Sequence, residues 1–346
     1  MWGIEIIRFD PLTAGEDLWK AHYDHLDAIH SEADPDEPLL PREKRRRQLV
    51  MSMDIPYNRR YFCLAMSGAE AAGYAMRAAE TPASPSYATN KAKANIRLSV
   101  LPGYRRRGIG LSLLRHLAAE TASSEPEVRE FMTPVIIEAG DRFLSALGGN
   151  VALEQSESRL YLKDVDWDMV EAWAAEGTRR NPDTRMIDTA SIPEDDLKAY
   201  SELYSEVINQ QPLGGLRIRM EISPEQIRLH EKKNREAGAE EITIYAKEAD
   251  GGLSGLTETS YQPEAGHRVH QMLTGVRESC RGRGLGRMLK ALMLLEIRRR
   301  YPGVKYISTA NSDANVPMLA INRKLGFRRH LPFRIYSLPL ACVTEA

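Results

Sequence analysis

The pattern R-x-x-G-x-G occurs twice in this chain, at residues 105–110 and 281–286. The two copies begin 176 residues apart, close to half of the 346-residue length. A Leu-Gly pair follows each copy, at residues 147–148 and 325–326, and these pairs are 178 residues apart. Two landmarks that recur in the same order at nearly one spacing predict a duplication, so we expect two copies of one fold.

Strand and helix patterns surround both copies of the motif. An alternating segment, 96–100, precedes the first copy, and an apolar segment, 270–276, precedes the second. Apolar residues at helical spacing follow each copy. The second half continues with a strand pattern at 304–309, a helix pattern at 315–325 and a strand pattern at 333–338. This alternation predicts an α/β (α+β) architecture in each half.

The boundary between the two copies is expected in a polar stretch near the middle of the chain. A short helical pattern there is followed by Asn181-Pro182, a dipeptide that favours turns. We therefore expect an N-terminal domain at 1–165, a linker at 166–184 and a C-terminal domain at 185–346.

Charge and cysteine content argue against several classes of function. The chain has 47 Lys and Arg against 48 Asp and Glu, a formal net charge of −1, whereas a general nucleic-acid binder normally carries a basic excess. The three cysteines have no spacing typical of a zinc site or a disulfide framework. No apolar run is long enough to span a membrane. We expect a cytoplasmic protein, monomeric or homodimeric, with no metal and no nucleic-acid or membrane partner.

The glycine motif is chemically suited to a phosphate group. Glycines let the chain turn sharply and let a ligand approach the backbone. A helix that begins within the motif points unpaired N–H groups and positive dipole charge outward, which favours phosphate binding. Arginines in both copies add cationic donors. One isolated motif is equally compatible with a basic turn that caps a helix, but two copies in matched surroundings favour a ligand site.

Two other phosphate-binding motifs are excluded. The dinucleotide-binding fingerprint needs a third glycine, and Leu113 and Leu289 stand at that position. A P-loop needs Gly-Lys followed by Ser or Thr, a tripeptide that the chain does not contain.

At this point the sequence resembles the GNAT acetyltransferases, whose signature Q/R-x-x-G-x-G/A lies between a strand and a helix. The resemblance extends over 274–286, 308–311 and 315–327, and covers nearly all of the second half but about a third of the first. The tandem layout is similar to that of mycothiol synthase. The resemblance implies two tandem GNAT folds, each a mixed twisted sheet flanked by helices, with a splayed cleft for acetyl-CoA. It also implies direct transfer of the acetyl group to a primary amine of a small molecule or peptide.

The resemblance also assigns residues that bind the cosubstrate acetyl-CoA, and no metal ligand. In the second half they are Val276, Arg281, Gly282, Arg283, Gly284, Leu285, Gly286, Asn311 and Asn315. In the first half they are Val100, Arg105, Arg106, Arg107, Gly108, Ile109 and Gly110.

GNAT enzymes often use a glutamate, acting through water, as the general base. Glu258 is our first choice, because it lies in a predicted central strand where Thr257 and Thr259 face the other way. His270, in the strand that leads to the second glycine motif, is the second choice.

The general acid is harder to assign. The family's usual tyrosine lies four residues before the glycine of Leu-Gly, and this chain has Asn322 there. An amide donates a hydrogen bond but supplies no proton in this pH range. Tyr306 and Tyr336 are alternatives, as is departure of the thiolate with hydrogen-bond support from Asn322.

The first half matches the family less well. Leu144 stands where the second half has Asn322, and Gly149 stands where it has Phe327. We therefore expect catalysis in the C-terminal copy, with the N-terminal copy a scaffold or a site that binds acetyl-CoA without turnover. Because the usual acid is missing, a non-catalytic acyl-CoA-binding or sensing protein is the alternative. A nucleic-acid-associated protein is disfavoured by the charge balance.

Overall fold

The structure, a computed structural model, describes residues 3–344. The strands are β1 (Ile4–Arg8), β2 (Asn58–Ser67), β3 (Glu70–Glu80), β4 (Lys93–Val100), β5 (Glu130–Val135), β6 (Asn150–Tyr161), β7 (Arg185–Thr189), β8 (Glu240–Lys247), β9 (Leu253–Tyr261), β10 (Arg268–Val276), β11 (Tyr306–Ser312) and β12 (Arg328–Pro339). The helices are α1 (Glu16–Ala33), α2 (Arg42–Met53), α3 (Tyr87–Asn90), α4 (Ile109–Ser124), α5 (Glu138–Ala146), α6 (Trp167–Arg180), α7 (Glu194–Asn209), α8 (Pro224–Glu236), α9 (Leu285–Arg300), α10 (Val316–Leu325) and α11 (Leu340–Thr344).

The chain divides into two compact units. Among the described residues, the first unit consists of 3–153, 214–218 and 333–344, and the second of 154–213 and 219–332. Neither compact unit is one continuous stretch of sequence. The division into domains at 1–165 and 185–346 therefore stays a prediction.

The two units contain sheets with the same strand order. The order is β1-β2-β3-β4-β5-β12 in the first unit and β7-β8-β9-β10-β11-β6 in the second. In the first unit β4 and β5 are parallel and the other paired neighbours are antiparallel. In the second unit β10 and β11 are parallel and the other paired neighbours are antiparallel. This repeated mixed sheet confirms the predicted duplication and the α/β architecture.

The last strand of each sheet comes from the other half of the sequence. In the first unit, residues 334–339 of β12 pair with 130–135 of β5. In the second unit, residues 155–161 of β6 pair with 306–312 of β11. Each unit therefore needs a strand from beyond the predicted boundary to complete its sheet.

The predicted linker 166–184 contains helix α6, which belongs to the second unit. Val170 and Ala174 of this helix are buried in the same core as residues of α9. Gly177 permits the close approach of the two helices, because a Cβ there would lie 2.5 Å from the Cβ of Met288. A larger residue at this position would push α6 away from α9.

Both faces of each sheet are covered by helices. In the second unit, α6 and α9 pack on one face, around Leu289 and Ile307, and α7 and α8 cover the other face with Leu203 and Ile227. In the first unit, α4 packs on one face and α1 and α2 cover the other. No helix within residues 3–344 is long and apolar enough to cross a membrane.

Candidate active site

The parallel strands of the second unit separate at one end. β10 pairs with β11 only from Arg268 with Tyr306 to His270 with Ser308. Both strands continue beyond that point, β10 to Val276 and β11 to Ser312. The resulting gap between the strand ends is the splayed cleft that the GNAT resemblance implies. The first unit shows the same separation, because the pairing of β4 with β5 stops at Asn95 and Met132.

Only one of the two units has an irregularity in the strand that borders this gap. The register of β9 with β10 shifts between Gln271 and Thr274. The register of β3 with β4 runs unbroken from Gly73 with Val100 to Ala79 with Ala94. Bulges bend a strand, re-aim its side chains and occur often beside active sites. The second unit therefore has a backbone feature at its cleft that the first lacks.

The glycine motif of the second unit forms the turn that leads into α9. Gly282 and Gly284 adopt left-handed backbone conformations, with φ of +81° and +85°. Gly284 is the N-cap of α9 and has no side chain to bond the first N–H groups of the helix. These groups are available to an external acceptor such as a pyrophosphate. The prediction that a helix begins within the motif is confirmed in both units, since Gly108 is the N-cap of α4 with φ +80°.

The arginines of the second motif have different surroundings. The guanidinium of Arg283 donates to both carboxylate oxygens of Glu248, at 3.0 Å each, and to Asn181 Oδ1 at 2.9 Å. Arg283 therefore ties the loop to the end of α6 and to the residue after β8. Arg281 donates to Gln210 Oε1 at 2.6 Å. Because Gln210 is a neutral amide, it leaves the positive charge of Arg281 uncompensated, which suits an anionic ligand.

The first unit's motif differs at the same arginine. Arg105 makes a bidentate ion pair with Glu32, with Nη–Oε distances of 2.7 and 2.5 Å, and its Nε donates to Val100 O at 3.0 Å. Arg106 has a positive φ of 62°, at the position where the second unit has Gly282. The guanidinium of Arg107 lies 5.5 Å from the ring centre of Tyr104.

Six other predicted cosubstrate residues lie where a strand leads into the helix after each motif. Ile109 and Leu285 are buried at the starts of α4 and α9. A Cβ on Gly110 would lie 3.5 Å from Phe143, and one on Gly286 would lie 3.6 Å from Ile321. Val100 and Val276 end the preceding strands. The assignment of these residues to acetyl-CoA stays a prediction.

Glu258 lies in β9, on the face of the sheet that α7 and α8 cover. Its neighbours face the other way, since Thr257 bonds Thr274 on β10 and Thr259 donates to Met293 Sδ of α9. Glu258 is partly buried, and its Oε1 accepts a hydrogen bond from the hydroxyl of Tyr200 at 2.5 Å. Burial raises the pKa of Glu258 to about 7, and the hydrogen bond from Tyr200 opposes that rise.

A cavity of about 180 Å³ opens on the same side of the second unit. It is lined by His230, Asn234, Glu241, Ser260, Gln262, Ala265, Arg268, His270 and Met272. Ser260 is two residues beyond Glu258 in β9, and strand alternation puts both on one face. The charges of Glu241 and His230 act on Glu258, since the carboxylate raises its pKa and the imidazole lowers it. Glu258 itself does not line the cavity, but Ser260, His230 and Glu241 of the lining lie near it.

The two predicted bases are brought to this region together. His270 Nδ1 lies 3.0 Å from Ser308 Oγ, and burial lowers the pKa of His270. His230 Nε2 lies 3.0 Å from Glu241 Oε1, and this contact is the main cause of a raised pKa for His230. The sequence did not reveal Tyr200, His230 or Glu241, because they come from three separate elements and belong to no local motif.

Asn322 and Asn311 meet where β11 diverges from β10. Asn322 is buried and its Nδ2 donates to Asn311 Oδ1 at 2.8 Å. Its own Oδ1 is also buried and has no hydrogen-bond partner among residues 3–344. Asn315 caps α10 by accepting from Met318 N at 3.4 Å. The paired amides leave one acceptor that a ligand N–H would satisfy.

The alternative tyrosines lie elsewhere. The ring centre of Tyr306 is 4.6 Å from the guanidinium of Arg159, and Tyr306 also packs on Tyr161. Tyr336 belongs to the first unit, where its hydroxyl lies 3.2 Å from Ser145 Oγ. Neither contact brings a phenol to the pair formed by Asn311 and Asn322.

The corresponding positions in the first unit are apolar. Met76 of the first unit corresponds to Glu258 of the second. Each lies three residues after a glycine, Gly73 or Gly255, that pairs with the last residue of the next strand. Three further positions correspond by their place in a helix or strand. They are Leu114, Val135 and Leu144 in the first unit, against Lys290, Asn311 and Asn322 in the second, and all three first-unit residues are buried.

Residues 3–344 contain no group of three or more His, Cys, Asp or Glu side chains arranged to hold a metal ion. The orphan N–H groups at the start of α9, the charge of Arg281 and the acceptor on Asn322 are instead suited to a ligand with a pyrophosphate and amide N–H groups. Acetyl-CoA has both, so the residues of the second unit fit this cosubstrate.

One family model matches part of the chain. The model of the acetyltransferase (GNAT) family matches residues 19–133, which lie in the first unit. No curated protein matches the sequence.

Two solved structures show the fold. A tandem GNAT protein from the clavulanic acid biosynthesis pathway has a TM-score of 0.73 and 20% sequence identity, and the match covers 97% of this chain and 98% of that one. A GCN5-related N-acetyltransferase from Sphaerobacter thermophilus has a TM-score of 0.66 and 16% identity, over 97% and 96% of the two chains.

Proposed function

We propose that the chain is a tandem GNAT acetyltransferase. In this proposal its second unit transfers the acetyl group of acetyl-CoA directly to a primary amine, with Glu258 as general base. The observation that carries this proposal is a carboxyl group with a pKa of about 7 beside a polar cavity and a splayed cleft. A general base is most effective when its pKa lies near the working pH.

The residues that would hold acetyl-CoA lie in the motif and across the cleft. The backbone N–H groups at the start of α9 and the guanidinium of Arg281 would hold the pyrophosphate. The buried Oδ1 of Asn322 would accept from an amide N–H of the pantetheine arm. Acetyl-CoA supplies the acetyl group as a reactive thioester.

Glu258 has two properties that a base for an alkyl amine needs. Most alkyl amines are protonated at neutral pH, so the acceptor must lose a proton before or during attack. A carboxyl with a pKa of about 7 is ionised in a large fraction of molecules at that pH, and it binds a proton more strongly than an ordinary glutamate does. His270, which lines the cavity, is the second candidate for this role.

The cavity indicates the size of the acceptor. Its volume of about 180 Å³ is below the range of about 300–1,000 Å³ typical of sites for drug-sized ligands. A small polar amine or the end of a peptide fits such a space. The lining supplies acceptors for an ammonium group, including Glu241 and Gln262. Oε1 of Gln262 is buried and has no hydrogen-bond partner within the described range 3–344.

A second function has one observation in its favour. Asn322, at the position of the usual general acid, is a buried amide paired with another amide. If no other group protonates the departing thiolate, the unit would bind acyl-CoA as a sensor without turnover. The first unit, whose equivalent positions are apolar, is in either case a scaffold or a binding site without chemistry.

The variant E258Q tests the proposal. Thiol release from acetyl-CoA is measured with a panel of primary amines that includes an amino acid, a polyamine and an amino sugar. General-base catalysis is worth about 10²–10⁴-fold, so we expect E258Q to lower kcat by about that factor with little change in CoA affinity. For the wild type the rate should fall below pH 7, and E258Q should lack this acidic limb.

E202Q is the matched control, since Glu202 lies on α7 in the same unit and is exposed. It should retain wild-type activity. Full activity and an unchanged pH profile in E258Q would contradict the proposal, and the same experiment on His270 would then follow. CoA binding without thiol release for any amine would support the sensing function.

A further inference from the structure

Tyr200 is the side chain in direct contact with the proposed base. It lies on α7 and is 1% exposed, and its ring packs edge-on against Tyr245, with ring centres 5.7 Å apart. Its hydroxyl donates to Glu258 Oε1 at 2.5 Å. The bond gives the buried hydroxyl of Tyr200 an acceptor and gives the carboxylate of Glu258 a donor.

We propose that Tyr200 is a positioning residue that holds one carboxylate oxygen of Glu258 and thereby makes Oε2 the oxygen that takes the proton of the amine. This inference rests on the proposed role of Glu258. The geometry supports it in two ways. An O–H···O⁻ distance of 2.5 Å is typical of a strong, charge-assisted bond. Both partners also lie on packed regular elements, α7 and β9, which fixes the orientation of the carboxylate.

The hydroxyl of Tyr200 remains a donor throughout the working pH range. Burial and the adjacent Glu258 raise the pKa of Tyr200 well above its ordinary value, so the phenol does not ionise near neutrality. A donor to a carboxylate favours the ionised form. Tyr200 therefore limits the rise in the pKa of Glu258. Without this hydrogen bond, Glu258 would be protonated at neutral pH and could not act as a base.

The other titratable groups on this side act at longer range. Tyr204 on α7 and Glu241 on β8 face Glu258, as does His230 on α8. His230 lowers and Glu241 raises the pKa of Glu258, and the two are in contact with each other. Glu231 of α8 is bonded to Ser191, Ile192 and Arg228. His270 faces the same cavity from β10.

The test uses Y200F, with Y204F as the matched control. Both changes remove one phenol oxygen from α7, and the oxygen that bonds Glu258 is that of Tyr200. The protonation of Glu258 is followed directly by the infrared band of its protonated carboxyl across a pH titration. The band is assigned by its absence in E258Q, so this readout needs no amine substrate.

We expect the titration midpoint of Glu258 to move up by about one pH unit or more in Y200F and to stay in place in Y204F. A shift of one unit lowers the ionised fraction at low pH tenfold, so turnover with the best amine should fall by up to about tenfold below the midpoint. It should recover at higher pH. In the E258Q background, Y200F should have no further effect on turnover.

Three outcomes would overturn the inference. The first is an unchanged titration midpoint in Y200F, and the second is an equal shift in Y204F. The third is a Y200F protein that does not fold while Y204F does, which would assign Tyr200 to the core alone. Failure of the proposed function itself would be recognised separately, because E258Q would then retain full activity whatever the result for Y200F.

Discussion

The two units have one architecture but differ in the chemistry of the cleft. Both have the same strand order, the same separation of the parallel strands and a left-handed glycine at the start of the following helix. Only the second has a bulge in β10, a carboxyl at Glu258 and paired amides at Asn311 and Asn322. The first has apolar residues at the equivalent positions. Both copies have kept the fold, whereas the polar groups suited to catalysis are present in the second unit. The comparison illustrates that function resides in a site and not in a fold.

The two glycine motifs also differ in the residue that holds their first arginine. The first arginine of each motif is held by a residue at or just beyond the end of the unit's first long helix. In the first unit this partner is the carboxylate of Glu32, which neutralises Arg105. In the second unit it is the amide of Gln210, which leaves Arg281 charged. The second motif therefore keeps at this arginine a charge that an incoming pyrophosphate can use.

The family match and the site lie in different units. The family model matches residues 19–133 of the first unit, whereas the polar cleft lies in the second. A family model responds to the pattern of the whole fold, including its buried apolar residues. A good match therefore identifies the fold of the first unit without locating the chemistry.

The largest effect that we predict concerns the exchanged strands. The first unit takes Tyr336, Leu338 and Val343, all buried in its core, from the end of the chain. A fragment 1–165 lacks them and loses β12, the antiparallel partner of β5, so it should not unfold cooperatively on heating. Fusion of residues 328–346 to this fragment should restore a cooperative transition. Cooperative melting of 1–165 alone, observed by near-ultraviolet circular dichroism, would show that the two halves are independent domains.

A smaller effect is predicted at Lys290, where the first unit has the buried Leu114. Lys290 is 2% exposed, and its Nζ lies 5.4 Å from the ring centre of Phe327. Burial lowers the pKa of Lys290 to about 7. Between pH 7 and the unfolded value near 10.5, the unfolded chain binds more protons than the folded chain, so stability should rise with pH over this window.

The variant K290M should therefore be more stable than the wild type at pH 7, by at most about 4 kcal/mol from the conversion of 1.36 kcal/mol per pKa unit. The difference should shrink towards pH 10, because the wild-type lysine is then neutral in both states. Urea denaturation at several pH values measures both trends. A wild-type stability that does not change over this range, together with a K290M protein that is less stable at pH 7, would contradict the prediction.

The sequence predicted the repeated fold of the two units, but not the long-range contacts that complete each unit and its site. The repeat, the strand before each motif and the helix after it depend on local patterns, and the alternation of Thr257, Glu258 and Thr259 correctly placed the carboxyl alone on one face. The exchange of β6 and β12 depends on long-range pairing, which has no local signal. The same holds for the bond from Tyr200 to Glu258, since the partners are 58 positions apart.

The claim that the second unit carries the chemistry is tested most directly by a matched pair of variants, G284D and G108D. Each places a carboxylate at the glycine N-cap of the helix that follows a motif, where the positive φ is similar, +85° and +80°. An aspartate there repels a pyrophosphate and costs each unit a similar backbone strain, roughly 1–2 kcal/mol. Calorimetric titration with CoA and thiol release with the best amine are measured for both variants, with melting curves to verify the fold. We predict micromolar CoA binding in the wild type, loss of that binding and of turnover in G284D, and retention of most turnover in G108D. Turnover that persists in G284D, or that disappears in a folded G108D, would contradict the account.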